Sequence, residues 1–107
     1  MAITIRGETD RALAGVKKAL LDYQRRHPES QIDIYRQNSI SIRIRVIDPE
    51  FVGMKKTDRH ALVWDSLEKL PDEIQGDISM VVVLCPDEVR GSLANLEFEE
   101  PSPSLIP

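Results

Sequence analysis

Apolar and polar residues alternate along this chain with two different periods, and the switches between them outline its elements. Ala2-Ile3-Thr4-Ile5-Arg6 alternates with period two and predicts a short edge strand that Gly7 breaks. Leu13, Val16, Leu20 and Tyr23 then recur at helical spacing, with Ala12 and Ala19 beside them. Thr9 stands where a helix cap belongs, and Glu8 and Asp10 place negative charge at the positive end of the helix dipole. Arg25, Arg26 and His27 suit the last turn, and Pro28 ends the helix. Gly15 either weakens this helix or lets a neighbour pack close.

Period two returns after Pro28. Ile32 and Ile34 alternate with Asp33 and Tyr35, and Gln37-Asn38-Ser39 predicts a turn. Ile40, Ile42, Ile44 and Val46 alternate with Ser41, Arg43 and Arg45, so an antiparallel hairpin is expected with isoleucines inward and arginines outward on a solvated face. Residues 51–67 organise the rest: Phe51 returns to the core, Gly53 makes a turn, and Thr57 caps a second helix. Along it His60, Ala61, Trp64 and Leu67 share one face, with Val63 and Leu70 beside it; Pro71 and Gly76 end the element. Asp77–Cys85 is apolar on both faces, the pattern of a strand with parallel pairing and double coverage. Pro86, Asp87 and Glu88 suit the first turn of a last helix through Val89, Leu93 and Leu96.

The predicted order is β-α-β-β-α-β-α. A strand, helix and strand in succession call for a right-handed crossover, so the last strand should run parallel to the second hairpin strand. The expected fold is α+β, a two-layer sandwich with a three- or four-stranded mixed sheet and helices mainly on one face. Residues 1–96 form one domain in this reading, and 97–107 an acidic, proline-rich tail.

Composition narrows the function classes. The chain has 107 residues, 41% hydrophobic and 30% charged, an ordinary balance for a soluble domain. No apolar run approaches the roughly 20 residues of a membrane span, and the N-terminus lacks a basic-then-apolar leader pattern, so a cytoplasmic location is expected. A single cysteine, Cys85, fits a reducing compartment. The net charge is −4, but residues 1–60 carry twelve Lys/Arg against eight Asp/Glu, and residues 61–107 carry two against ten. Overall acidity argues against nucleic-acid binding by bulk electrostatics, while a local basic patch can still meet a phosphate.

Phe51-x-Gly53-Met54, followed by Arg59-His60, Val63 and Leu67, resembles the signature of the BolA family. The strand ending Val46-Ile47-Asp48 and the one ending Cys85-Pro86-Asp87-Glu88 flank it as in that family, and the likeness covers residues 30–90. The resemblance implies a class II KH-like fold and two lines of function: a nucleic-acid-binding regulatory module, or an adaptor that shares an iron–sulfur cluster with a monothiol glutaredoxin. The family's cluster ligands are a histidine at the start of the last strand and a His or Cys in the hairpin loop. Neither carries over, because Ser79 occupies the first position and Gln37-Asn38-Ser39 the second. Iron favours thiolate and imidazole over a serine hydroxyl, so no cofactor is expected from these positions.

The candidate nucleic-acid site is Gly53, Lys55, Lys56 and Arg59. A KH domain brings a Gly-x-x-Gly backbone against phosphates; Lys56 replaces the second glycine here and supplies charge at a helix N-terminus instead. With two Phe, two Tyr and one Trp, the chain has few rings to stack bases. His60 and Cys85 are the candidate metal ligands: a helix start favours a neutral imidazole, and a cysteine before a helix N-terminus can stabilise a thiolate. His27 reads as a surface residue at a helix end. Two histidines and one cysteine at no recognised spacing make no closed zinc site. No strained nucleophile turn supports catalysis by His60, Asp65 and a serine, so an enzyme is not expected.

Overall fold

The structure is a computed structural model that describes residues 3–91. Its elements are β1 (Ile3–Ile5), α1 (Arg11–Arg26), β2 (Gln31–Asn38), β3 (Ser41–Ile47), a 3₁₀ turn (Pro49–Phe51), α2 (Lys56–Leu67), α3 (Asp72–Asp77), β4 (Ile78–Leu84) and a second 3₁₀ turn (Pro86–Glu88). The four strands form one mixed sheet in the order β1-β2-β3-β4. β1 joins β2 in parallel, β2 and β3 form the antiparallel hairpin, and β4 runs parallel to β3 with Val46 opposite Val83. The segment 78–84 therefore lies where the crossover rule requires. The sheet is α+β and four-stranded.

One main core lies between the sheet and the helices. Ile32, Ile34, Ile42, Ile44 and Val46 meet Leu13, Val16, Leu20 and Tyr23 of α1 and Val63 and Leu67 of α2, all with no exposed surface. β-Branched residues fill the strand positions because their stiff side chains pack well on a pleated surface. Phe51, delivered by the 3₁₀ turn, closes this core below α2. Tyr35, Val82 and Leu84 are buried in a second cluster with Met80 and Val89. Val82, Val83 and Leu84 are thus buried, while Ser79 is exposed and Ile78, Met80 and Val81 are half-buried, so the double coverage expected of Asp77–Cys85 holds only at the end of β4, the last strand of the sheet.

Several local expectations shift. Asp10, not Thr9, caps α1, its Oδ1 accepting the Leu13 N–H at 2.9 Å. Ile40 sits in the hairpin turn and is 61% exposed rather than inward, because β3 begins one residue later. Pro71 does not end the helical segment but opens α3, where its missing N–H costs nothing, and Gly76 lies inside that helix. The face that α2 buries is Arg59, Val63, Ser66 and Leu67, turned from the one expected through His60, Ala61 and Trp64. Two polar residues at core positions hid that face from a purely apolar count.

Arg45 is likewise not a solvated sheet arginine. Its Nε and Nη2 donate to Asp33 Oδ2 across the hairpin at 3.0 and 2.6 Å, both side chains buried. After Glu88 the chain continues in a turn to Gly91; the helix expected through Leu93 and Leu96 and the tail 97–107 lie outside the described residues. Among the described residues no helix is long and apolar enough to cross a membrane.

Candidate functional site

The Gly53–Lys56 loop is built by backbone geometry. Asp48 caps the 3₁₀ turn through Oδ1, which accepts the Glu50 N–H at 2.9 Å, and Phe51 is drawn into the core. The Met54 N–H donates to the Phe51 carbonyl at 3.0 Å, closing a turn that needs a positive φ. Gly53 supplies it, at +81°. L-residues with a Cβ rarely adopt this conformation, so glycine is required by the backbone here and not by crowding. No heavy atom lies within 4 Å of the position a Cβ would take.

The chain then enters α2 directly. Lys55 is the extended cap residue and Lys56 the first helical one, so Thr57 sits inside the first turn and is not the cap. No side chain caps that turn; the Asp58 N–H donates to the Lys55 carbonyl at 3.1 Å, and the first-turn amides of Lys56 and Thr57 face water or a ligand. Gly53, Lys55, Lys56 and Thr57 are all exposed. Two ammonium groups and a helix N-terminus facing solvent form an arrangement that favours anions; Asp58 in the first turn offsets part of it.

Arg59 does not join this patch. It is 4% exposed, and its guanidinium points inward. Nη1 and Nη2 donate to the two Glu88 oxygens at 2.6 and 3.3 Å, Nε to the Met54 carbonyl at 3.1 Å and Nη1 to the Val83 carbonyl at 3.2 Å. Its Cζ lies 5.6 Å from the Phe51 ring centroid, within cation–π range. The hydrogen bond from Arg59, with a second from the Cys85 N–H at 3.0 Å, pulls the Glu88 carboxyl down to about 2. Arg59 thus ties the back of the loop to the end of β4. Its position was legible in the sequence; its partner was not, because Glu88 is 29 residues away.

His60 is half-buried at the start of α2, and burial, with a smaller effect of Lys56, lowers its pKa below the ordinary imidazole value. Cys85 is buried in the main core at 6% exposure, its backbone bonded to Glu88. Neither belongs to a cluster of three metal-ligating side chains among the described residues. The positions that the BolA resemblance assigns to cluster ligands carry Ser79 and the loop Gln37-Asn38-Ser39, and the Ser79 hydroxyl is taken up by that of Ser41 on β3. Serine, glutamine and asparagine side chains at those positions are a donor set that does not fit an iron–sulfur cluster.

What the fold and loop define is a small α+β domain with a mixed four-stranded sheet and a basic glycine turn leading into a helix. Comparison with family models, with curated proteins and with solved structures returns no match. The likeness to BolA proteins therefore rests on the Phe51–Leu67 motif and on the order of the elements alone.

Proposed function

We propose that this chain is a non-catalytic, BolA-like regulatory module of KH type that meets nucleic-acid phosphates through the Gly53–Lys56 loop. The observation that carries the reading is the Gly53 turn, which presents Lys55 and Lys56 together at an uncapped helix N-terminus. Backbone amides and two ammonium groups recognise phosphate by charge and hydrogen bonding without reading base identity. Arg59, held inside by Glu88, supports the loop and makes no contact with the ligand in this reading. With scarce aromatic residues, contact with the phosphate backbone is the main source of affinity.

The test is anisotropy titration of a labelled single-stranded oligonucleotide at several salt concentrations. Each lost phosphate contact should flatten the salt slope by about 0.7, so Lys55→Glu with Lys56→Glu should flatten it by about 1.4 and weaken binding. Affinity and slope indifferent to both changes would reject the proposal. The alternative, an adaptor that shares an iron–sulfur cluster with a monothiol glutaredoxin, needs His60 or Cys85 to replace the lost ligands. The burial of Cys85 weighs against it.

A further inference from the structure

A second cluster, on the other side of Phe51 from Lys55, has its own chemistry. His27 closes α1, and Asp48 and Glu50 leave β3 and enter the 3₁₀ turn. The His27 Nδ1 lies 2.8 Å from Glu50 Oε2 and 3.3 Å from Asp48 Oδ2. One ligand atom from each of the three residues falls within 4.8 Å of the others. Asp48 has no exposed surface, the His27 side chain is 13% exposed, and Glu50 at 56% opens the cluster to solvent.

The surroundings hold these groups in place. Tyr23 stacks on the His27 ring, centroids 4.2 Å apart, and its hydroxyl donates to Asp48 Oδ2 at 2.6 Å. Burial and the adjacent Asp48 raise the Tyr23 pKa, which keeps the phenol a donor. Asp48 Oδ1 is occupied by the Glu50 N–H, and the Asp48 N–H donates to the Leu84 carbonyl at 2.9 Å. The buried carboxylate is thereby oriented by the Tyr23 phenol on Oδ2 and the Glu50 N–H on Oδ1, and Oδ2, which accepts from the phenol, also faces the imidazole nitrogen.

Nδ1 carries at most one proton, yet two carboxylate oxygens converge on it. One imidazole nitrogen and two carboxylate oxygens thus converge on a single point at the surface end of the cluster. A divalent ion at the focus of the three atoms would accept the lone pair of neutral Nδ1 and neutralise both carboxylates. We propose that His27, Asp48 and Glu50 bind a divalent first-row transition ion, with Zn²⁺ the best fit. One nitrogen and two oxygens suit this ion, and tetrahedral ligands about 2.1 Å from it stand about 3.4 Å apart, within reach of the observed separations. The fourth position opens to solvent beside Glu50. Tyr23 is a positioning residue that orients Asp48, a role that hydrogen-bonded neighbours of ligands commonly fill.

Titration calorimetry of the chelator-stripped full chain with ZnCl₂ tests this site, with a Co²⁺ absorption spectrum to report the ligand type. One ion per chain is expected, with cobalt bands of nitrogen and oxygen ligation and no thiolate charge-transfer band. Glu50→Ala and His27→Gln should each weaken binding at least tenfold, and Tyr23→Phe should cost about 10-fold. Glu50 is half-exposed, so its variant remains informative if His27→Gln fails to fold. The proposal is overturned by no uptake up to about 1 mM Zn²⁺. It is equally overturned by uptake that survives Glu50→Ala, or by a thiolate band that places the metal on Cys85.

Discussion

Lys55 and Arg59 stand one helical turn apart, carry the same charge and have opposite surroundings. The Gly53–Lys56 loop presents Gly53, Lys55 and Lys56 to solvent and is anchored through its backbone and the Met54 side chain, whereas the Arg59–Glu88 fork behind it is tied to two carbonyls and an aromatic ring. One region can accept a ligand because its polar groups face solvent. The other uses its polar groups to hold the fold. The same division separates Arg45, locked to Asp33 across the hairpin, from the exposed Lys56. Cationic residues in the basic half of this chain therefore do not form one surface, and the site is smaller than a charge count suggests.

Removing the fork should have the largest effect. Arg59→Ala removes the guanidinium from the Val83 carbonyl and leaves the Glu88 carboxylate with the Cys85 N–H alone, and should cost about 2–4 kcal/mol, read as a lowered denaturant midpoint. A loss under about 1 kcal/mol would make the fork an ordinary surface pair and erase the contrast with Lys55. The pH dependence follows with the same sign. Glu88 is depressed from 4.5 to about 2 in the folded chain, first by Arg59 and then by the Cys85 amide. The stability it contributes is fully present above pH 4.5 and fades as pH falls toward 2, in part only, since the Glu88 side chain is 41% exposed and water screens it. Glu88→Gln should flatten this acid limb in equilibrium unfolding measured from pH 6 to about pH 2.

Changes to the loop should act more on binding than on stability. Gly53→Ala has open space around the new methyl but forces a positive φ, so about 1–2 kcal/mol of strain is expected, together with weaker oligonucleotide binding. Unchanged thermal unfolding would mean that the loop relaxes to another conformation. Gly15→Ala is the converse control: the new methyl would sit 3.8 Å from Leu70 and Ile74, an ordinary contact, and the helix should gain about 0.5–1 kcal/mol. The smallest effect belongs to Lys55→Ala and Lys56→Ala, which should leave stability within about 0.5 kcal/mol while flattening the salt slope of binding. A large stability loss from either lysine would show that the loop is bound into the fold no less firmly than Arg59.

Periodicity alone determined the hairpin, the buried stripe Leu13, Val16, Leu20 and Tyr23, and the parallel docking of 78–84 beside β3, because apolar burial obeys the local period of the chain and a crossover has one favoured sense. It also marked Gly53 as a turn and Lys55 and Lys56 as exposed charge. Tertiary structure alone decided which polar residues are drawn inside. Arg59 finds Glu88 across 29 positions, Arg45 finds Asp33 across 12, and His27 meets Asp48 and Glu50 where α1 ends against the exit of β3. A charged side chain is buried only when a partner is brought to it, and a one-dimensional pattern records the charge but not the partner.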